Sequence, residues 1–213
     1  MPLSAETLNS ERTRIATLVL EMVRDRGAEI SYSTALAESG LARSRFEQIF
    51  PDYDELFDAV AQIWLAAHMQ AMEEVLATDL PSNRKMYEFF RRRFVISRER
   101  FREDPETFRL LCEMGAANFE RVRSYVDLAD HYLCEIIVQA QDDGYMAGLG
   151  IDEALSLVNQ MVSNYTIPDS LIYLGDKLTE EKLAKIVDTI FIGLSSEAGD
   201  GVRGVNTIRV AAS

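Results

Sequence analysis

Every long segment of this chain spaces its apolar residues by three and four, and no stretch of useful length alternates apolar with polar residues. That period belongs to an α-helix with one buried face, whereas a strand repeats every second residue. The chain is therefore predicted to be all-α, with about nine helices. Ile15, Leu18, Val19, Met22 and Val23 mark a helix over 10–26 that Gly27 stops. The stretch 33–50 divides into two short helices at Ser39-Gly40-Leu41, because Gly40 tolerates the left-handed conformation a tight turn needs. Helix, short helix, turn and second short helix together make a helix-turn-helix pattern.

After Pro51, Asp52 and Glu55 suit a helix start. Leu56, Val60, Ile63, Trp64 and Ala67 form one stripe of that helix, and Phe57, Leu65, Met69, Met72 and Leu76 form a second. A helix with two apolar faces packs against two bodies, so it is expected to bridge two domains. Further helices are predicted over 82–102, 105–117, 119–142, 152–174 with an interruption at Pro168, and 179–196. Asp104 before Pro105 is a strong start signal, since Asp caps free amides and Pro has none to lose. The expected organisation is a three-helix domain over 1–52, a larger helical domain over 53–196, and a flexible Gly-containing tail over 197–213.

Several function classes are disfavoured. The tail's Gly199-x-Gly201-x-x-Gly204 matches a dinucleotide fingerprint in letters only, having no strand before it. His68 and His131 lack partners at ligand spacing, and no nucleophile-elbow or phosphate-loop motif occurs, so no metal, cofactor or enzymatic activity is expected. Cys112 and Cys134 sit in helical apolar patterns and read as reduced core residues. No segment runs about 18 apolar residues unbroken and no secretory signal is evident, so a cytoplasmic protein without membrane contact is expected. The net charge of −13 excludes general coating of nucleic acid, which relies on neutralising phosphates with Lys and Arg. Any DNA binding must be local, and dependent on salt.

In the second short helix, Leu41, Phe46, Ile49 and Phe50 face inward by spacing, leaving Arg43, Ser44, Arg45, Glu47 and Gln48 outward. Basic side chains at the start of such a helix suit phosphates or guanine edges. In this order of elements, from Arg26-Gly27 through Ser39-Gly40-Leu41 to Phe50-Pro51 and the acidic start before Leu56, the chain resembles the TetR family of transcription regulators. Ile167-Pro168-Asp169-Ser170-Leu171-Ile172-Tyr173, Gly175-Asp176 and a final amphipathic helix are similar to the family's last two helices.

The resemblance implies a homodimeric regulator of operator double-stranded DNA, switched by a small-molecule effector whose identity is not legible. It makes Ser33, Arg43, Ser44, Arg45, Gln48 and Tyr53 candidate DNA contacts. It makes Met86, Phe90, Phe108, Met114, Phe119, Tyr125, Met161 and Tyr165 candidates to line an effector pocket, against the alternative that each is plain core. Val158, Val162, Leu183, Val187, Ile190 and Leu194 are the candidate dimer interface, where the family pairs its last two long helices across a two-fold axis.

Departures from the family pattern concentrate at the DNA-facing end. Ala42 replaces the usual Ser or Thr cap, Glu47 a usual Tyr, Tyr53 a usual Lys, and Ala35-Leu36 a usual Ile-Ala. Residues 1–65 hold six arginines, no lysine and eleven acids. A TetR-like ligand-binding or interaction protein that has lost specific DNA binding therefore stands as the alternative. Residues 84–102 carry eight basic residues against two acids, which reads either as a solvated helix face or as a site for an anionic effector or DNA phosphates.

Overall fold

The computed structural model describes residues 5–27, 29 and 31–195. Among these it contains ten α-helices, one 3₁₀ turn and no strand. They are α1 (Ala5–Arg26), α2 (Tyr32–Glu38), α3 (Arg43–Ile49), α4 (Tyr53–Leu76), α5 (Ser82–Glu103), α6 (Pro105–Ala117), α7 (Phe119–Asp142), α8 (Ile151–Thr166), α9 (Asp169–Leu174) and α10 (Glu180–Leu194). The interruption expected at Pro168 within 152–174 separates α8 from α9. The proline ring denies the backbone a donor, and Ile167 before it is extended. The tail expected over 197–213 lies outside the described residues.

Helix α1 begins a turn and a half before the expected Ser10, because Leu8 continues the apolar face and packs beside the core of Ile15, Val19 and Val23. Gly27, at φ +58, ends it as its sequence position implies. Asp52 Oδ1 accepts from Glu55 N at 2.9 Å at the start of α4. Asp104 Oδ1 likewise accepts from Thr107 N at 3.0 Å, with Pro105 in the first turn of α6.

The chain forms two compact units, Met1–Gln70 with Val95–Leu128, and Ala71–Phe94 with Ala129–Ser213; the division falls within α4, α5 and α7. In the first unit, Phe46, Ile49 and Phe50 pack with Ile15, Val19, Leu56 and Val60, and Met114 of α6 belongs to the same cluster. Burying each such side chain contributes about 1.5–3 kcal/mol.

In the second unit, α8 packs on both α9 and α10. Phe94 meets Tyr165 edge-to-face at 5.1 Å, and Tyr145 meets Phe191 at 5.0 Å. Thr179 caps α10 through Lys182 N, and its carbonyl accepts from the Tyr165 hydroxyl at 3.1 Å. Gln141 donates to the carbonyls of Met146 and Leu149, fixing the turn between α7 and α8.

Candidate nucleic-acid interface and sensor elements

The turn between α2 and α3 is built by two adjacent residues. Gly40 takes φ +71, which a Cβ would strain. Ser39, buried at 6% exposure, donates from Oγ to Leu36 O at 2.8 Å and accepts from Leu41 N at 3.2 Å. Arg14 reaches from α1 to the Ser39 carbonyl at 3.2 Å, so the turn is tied to the first helix as well. Phe46 is fully buried and meets Tyr32 edge-to-face at 5.1 Å, while the Tyr32 hydroxyl donates to Phe50 O at 2.5 Å. These contacts orient α3 so that Arg43, Ser44, Glu47 and Gln48 are exposed.

The expected lack of a cap holds: Ala42 stands at the N-cap with no side-chain hydrogen bond. Helix α2 starts at Tyr32, capped by Ser31, and the Ser31 and Ser33 hydroxyls lie 3.0 Å apart with Ser33 exposed. Tyr53 opens α4, partly buried, and burial raises its phenol pKa.

The arginines of this region are mostly engaged within the fold. Arg12 donates to Ile49 O at 3.1 Å, Glu55 O at 3.0 Å and Glu55 Oε2 at 2.6 Å, and lies over the Phe50 ring. It thereby joins α1 to the end of α3 and the start of α4. Arg26 pairs with Glu38 at 2.7 Å. Arg43 donates to Glu47 one turn further along α3, and that hydrogen bond raises the guanidinium pKa above its ordinary value. Among the described residues Arg45 has no ion-pair partner, which leaves its donors open on α3.

The eight candidate pocket residues are divided equally between the two units. Phe108, Met114, Phe119 and Tyr125 belong to the first unit and Met86, Phe90, Met161 and Tyr165 to the second. Met114 is part of the core that carries the helix-turn-helix, and Met86 and Phe90 are sealed at 0% and 1% exposure. Phe119 and Met161 stand open at 48% and 40%. An open polar groove of about 520 Å³ in the second unit is bordered by Asp79, Ser82, Gln139, Asp143 and Tyr145, and takes in none of the eight.

Five of the six candidate dimer residues turn inward. Val158, Val162, Leu183, Val187 and Ile190 are at most 2% exposed within a single chain, so their side chains already fill its core. Leu194 is partly buried. The open large apolar side chains on α8 and α10 are instead Ile151, Met161 and Ile192, the last 75% exposed.

Three arginines of the basic run of 84–102, Arg84, Arg91 and Arg92, form ion pairs centred on Glu88. Glu88, 8% exposed, is approached by Arg84 at 3.4 Å, Arg91 at 2.9 Å and Arg92 at 3.5 Å. Arg91 also reaches Glu180 on α10 at 3.1 Å, and Arg92 reaches Glu74 on α4 at 3.1 Å.

A constellation the sequence reading missed lies further along α5, in the first unit. His68 and Ser97 share a hydrogen bond at 3.0 Å, and Arg100 donates to Trp64 O at 2.6 Å while stacking 4.2 Å over the Trp64 ring. The signal was the spacing of Trp64 and His68 by four and of Ser97 and Arg100 by three, which puts each pair on one helix face.

In chain comparisons, no curated protein matches this sequence. Residues 82–187 match the family described as Tetracyclin repressor-like, C-terminal domain. A helix-turn-helix unit with its turn at Gly40, followed by helices that match this C-terminal domain, places the chain in the TetR family of regulators.

Proposed function

We propose that the protein is a cytosolic, homodimeric repressor that binds an operator through α3 and leaves it when a small molecule binds. Residues 1–52 serve as the DNA-binding domain and residues 53–196 as the effector-binding and dimerisation domain. The observation that carries this reading is the face of Arg43, Ser44 and Gln48, exposed, with Arg45, partly buried, on a helix whose opposite face, Phe46 and Ile49, is locked into the core. Ser33 and Tyr53 flank that face as phosphate contacts. Two such helices in a dimer meet successive major grooves about 34 Å apart.

The dimer forms through the outer faces of α8 and α10, where Met161 and Ile192 are open. The effector signal reaches α4 through α6 and α7: Met114 sits in the helix-turn-helix core, and Arg121 pairs with both Asp54 and Asp58 of α4. An effector shifts DNA affinity only by its differential affinity for the two arrangements. A second reading, a family member without specific DNA binding, is favoured by the pairing of Arg12, Arg14, Arg26 and Arg43 with carboxylates of the same chain. Selection of genomic fragments by the purified protein at about 0.1 M salt separates the two. A roughly palindromic site is the expected result, and a folded dimer that enriches no site would establish the second reading.

A further inference from the structure

Of the arginines on α5, Arg100 is held differently from those around Glu88. It is half-buried, and among the described residues no carboxylate lies within ion-pair distance of it. Its protein partners are the Trp64 carbonyl, which takes Nη1, and the Trp64 ring face. Burial lowers the Arg100 pKa below its ordinary value, while the fields of Tyr125 and Glu103 oppose that shift. A cation drawn out of water without a counter-charge is costly, and an Arg whose Nε and second amino group remain open suits a carboxylate in a bidentate fork.

The neighbours of Arg100 belong to the same unit. His68, 6% exposed, pairs with Ser97 one turn before Arg100 and meets the Tyr125 ring edge-on at 6.3 Å. On the other side, Trp64 lies 6.4 Å from Phe108, which in turn lies 5.5 Å from Phe101. The Arg100 guanidinium is thus joined to Trp64, whose ring continues through Phe108 to Phe101, while the His68–Ser97 pair lies one turn away on the same two helices, α4 and α5.

The geometry points to Arg100 as the anchor of a binding site for a small organic carboxylate, its apolar body against Trp64, Phe101 and Phe108. This assignment deepens the reading of the chain as a ligand-switched regulator, and rests on it for the consequence on DNA. The aromatic wall favours an aromatic or short aliphatic acid over an inorganic anion, because only the former gains from burying its body.

Trp64 is the sole tryptophan of the chain, so its fluorescence reports on this site directly. The full-length protein is titrated at constant ionic strength with hexanoate, benzoate and phenylacetate, each beside its neutral amide, and with chloride as the inorganic control. The expected result is a saturable change in Trp64 emission with at least one carboxylate, at least about tenfold weaker with its amide, a contrast of the size a lost charged hydrogen bond produces. Arg100→Gln should abolish the response with the circular dichroism spectrum unchanged, and Arg100→Lys should retain a weakened one. No saturable response to any of the three acids, equal responses to acid and amide, or an unaltered response in a folded Arg100→Gln protein would overturn the assignment. Fragment selection by DNA is read without any carboxylate present, so a failure of this site and a failure of the regulator reading are told apart.

Discussion

Arg43 Nε donates to Glu47 Oε1 at 2.8 Å, so the helix proposed to read DNA carries a neutralising carboxylate one turn on. DNA must compete with Glu47 for this guanidinium, and Glu47 itself repels phosphates. In an acidic chain this pair sets how much of the local positive charge is available.

Replacing Glu47 by Gln should therefore strengthen DNA binding and steepen its dependence on salt. One additional phosphate contact adds about 0.9 to the slope of log affinity against log salt concentration. Affinity measured across a salt series checks this. An unchanged slope would mean that Arg43 makes no phosphate contact.

Arg12 is a structural arginine. Its removal in Arg12→Met leaves the Ile49 and Glu55 carbonyls without their charged donor. Such a change should cost about 2 kcal/mol and lower the melting temperature by several degrees. Thermal unfolding measures it, and a change below about 0.5 kcal/mol would show that water replaces the guanidinium without loss.

Asp104 caps α6, and the hydrogen bonds from Thr107 hold its carboxyl below the usual carboxylate range. A depressed folded-state pKa means that the stabilisation is present above the unfolded value and is lost as pH falls through the folded one. Asp104→Ala should destabilise by about 1 kcal/mol at neutral pH, and the gap to the parent protein should close as the solution is acidified below about pH 4. Denaturant unfolding at several pH values tests the sign; a gap that widens on acidification would contradict it.

Two isoleucines on α10 separate folding from association. Ile190 is fully buried in its own chain, so Ile190→Glu should unfold the second unit rather than yield a clean monomer. Ile192 is 75% exposed, so Ile192→Glu should leave the helical spectrum intact and yield monomers. Sedimentation with circular dichroism distinguishes these outcomes. A dimeric Ile192→Glu protein would remove this face of α10 as the interface.

What could be read from the chain beforehand was governed by locality. Gly27, Gly40 and the Asp104-Pro105 pair act within a few residues of themselves, so their roles follow from residue type and position. The lack of a cap at Ala42 was legible for the same reason.

Facing was not local. Apolar spacing marks Val158, Leu183 and Ile190 as one-sided, but whether the buried side meets its own chain or a second copy depends on neighbours far away in sequence. The same holds for charge: part of the excess positive charge of the basic run on α5 is offset by Glu74 and Glu180, which arrive from α4 and α10. Arg100 stood out only once its partner was seen to be an indole.

The central claim is that α3 reads DNA, and Arg45 tests it most directly, since among the described residues its charge is not engaged by a carboxylate. The measurement is the affinity of the parent protein and of Arg45→Ala for the selected site and for random DNA, at about 0.1 M salt. Loss of a guanine contact worth about 1–3 kcal/mol predicts a fall of about tenfold or more at the selected site, with a smaller fall on random DNA. Equal affinity of the two proteins for the selected site would contradict the claim that this helix is the reading element.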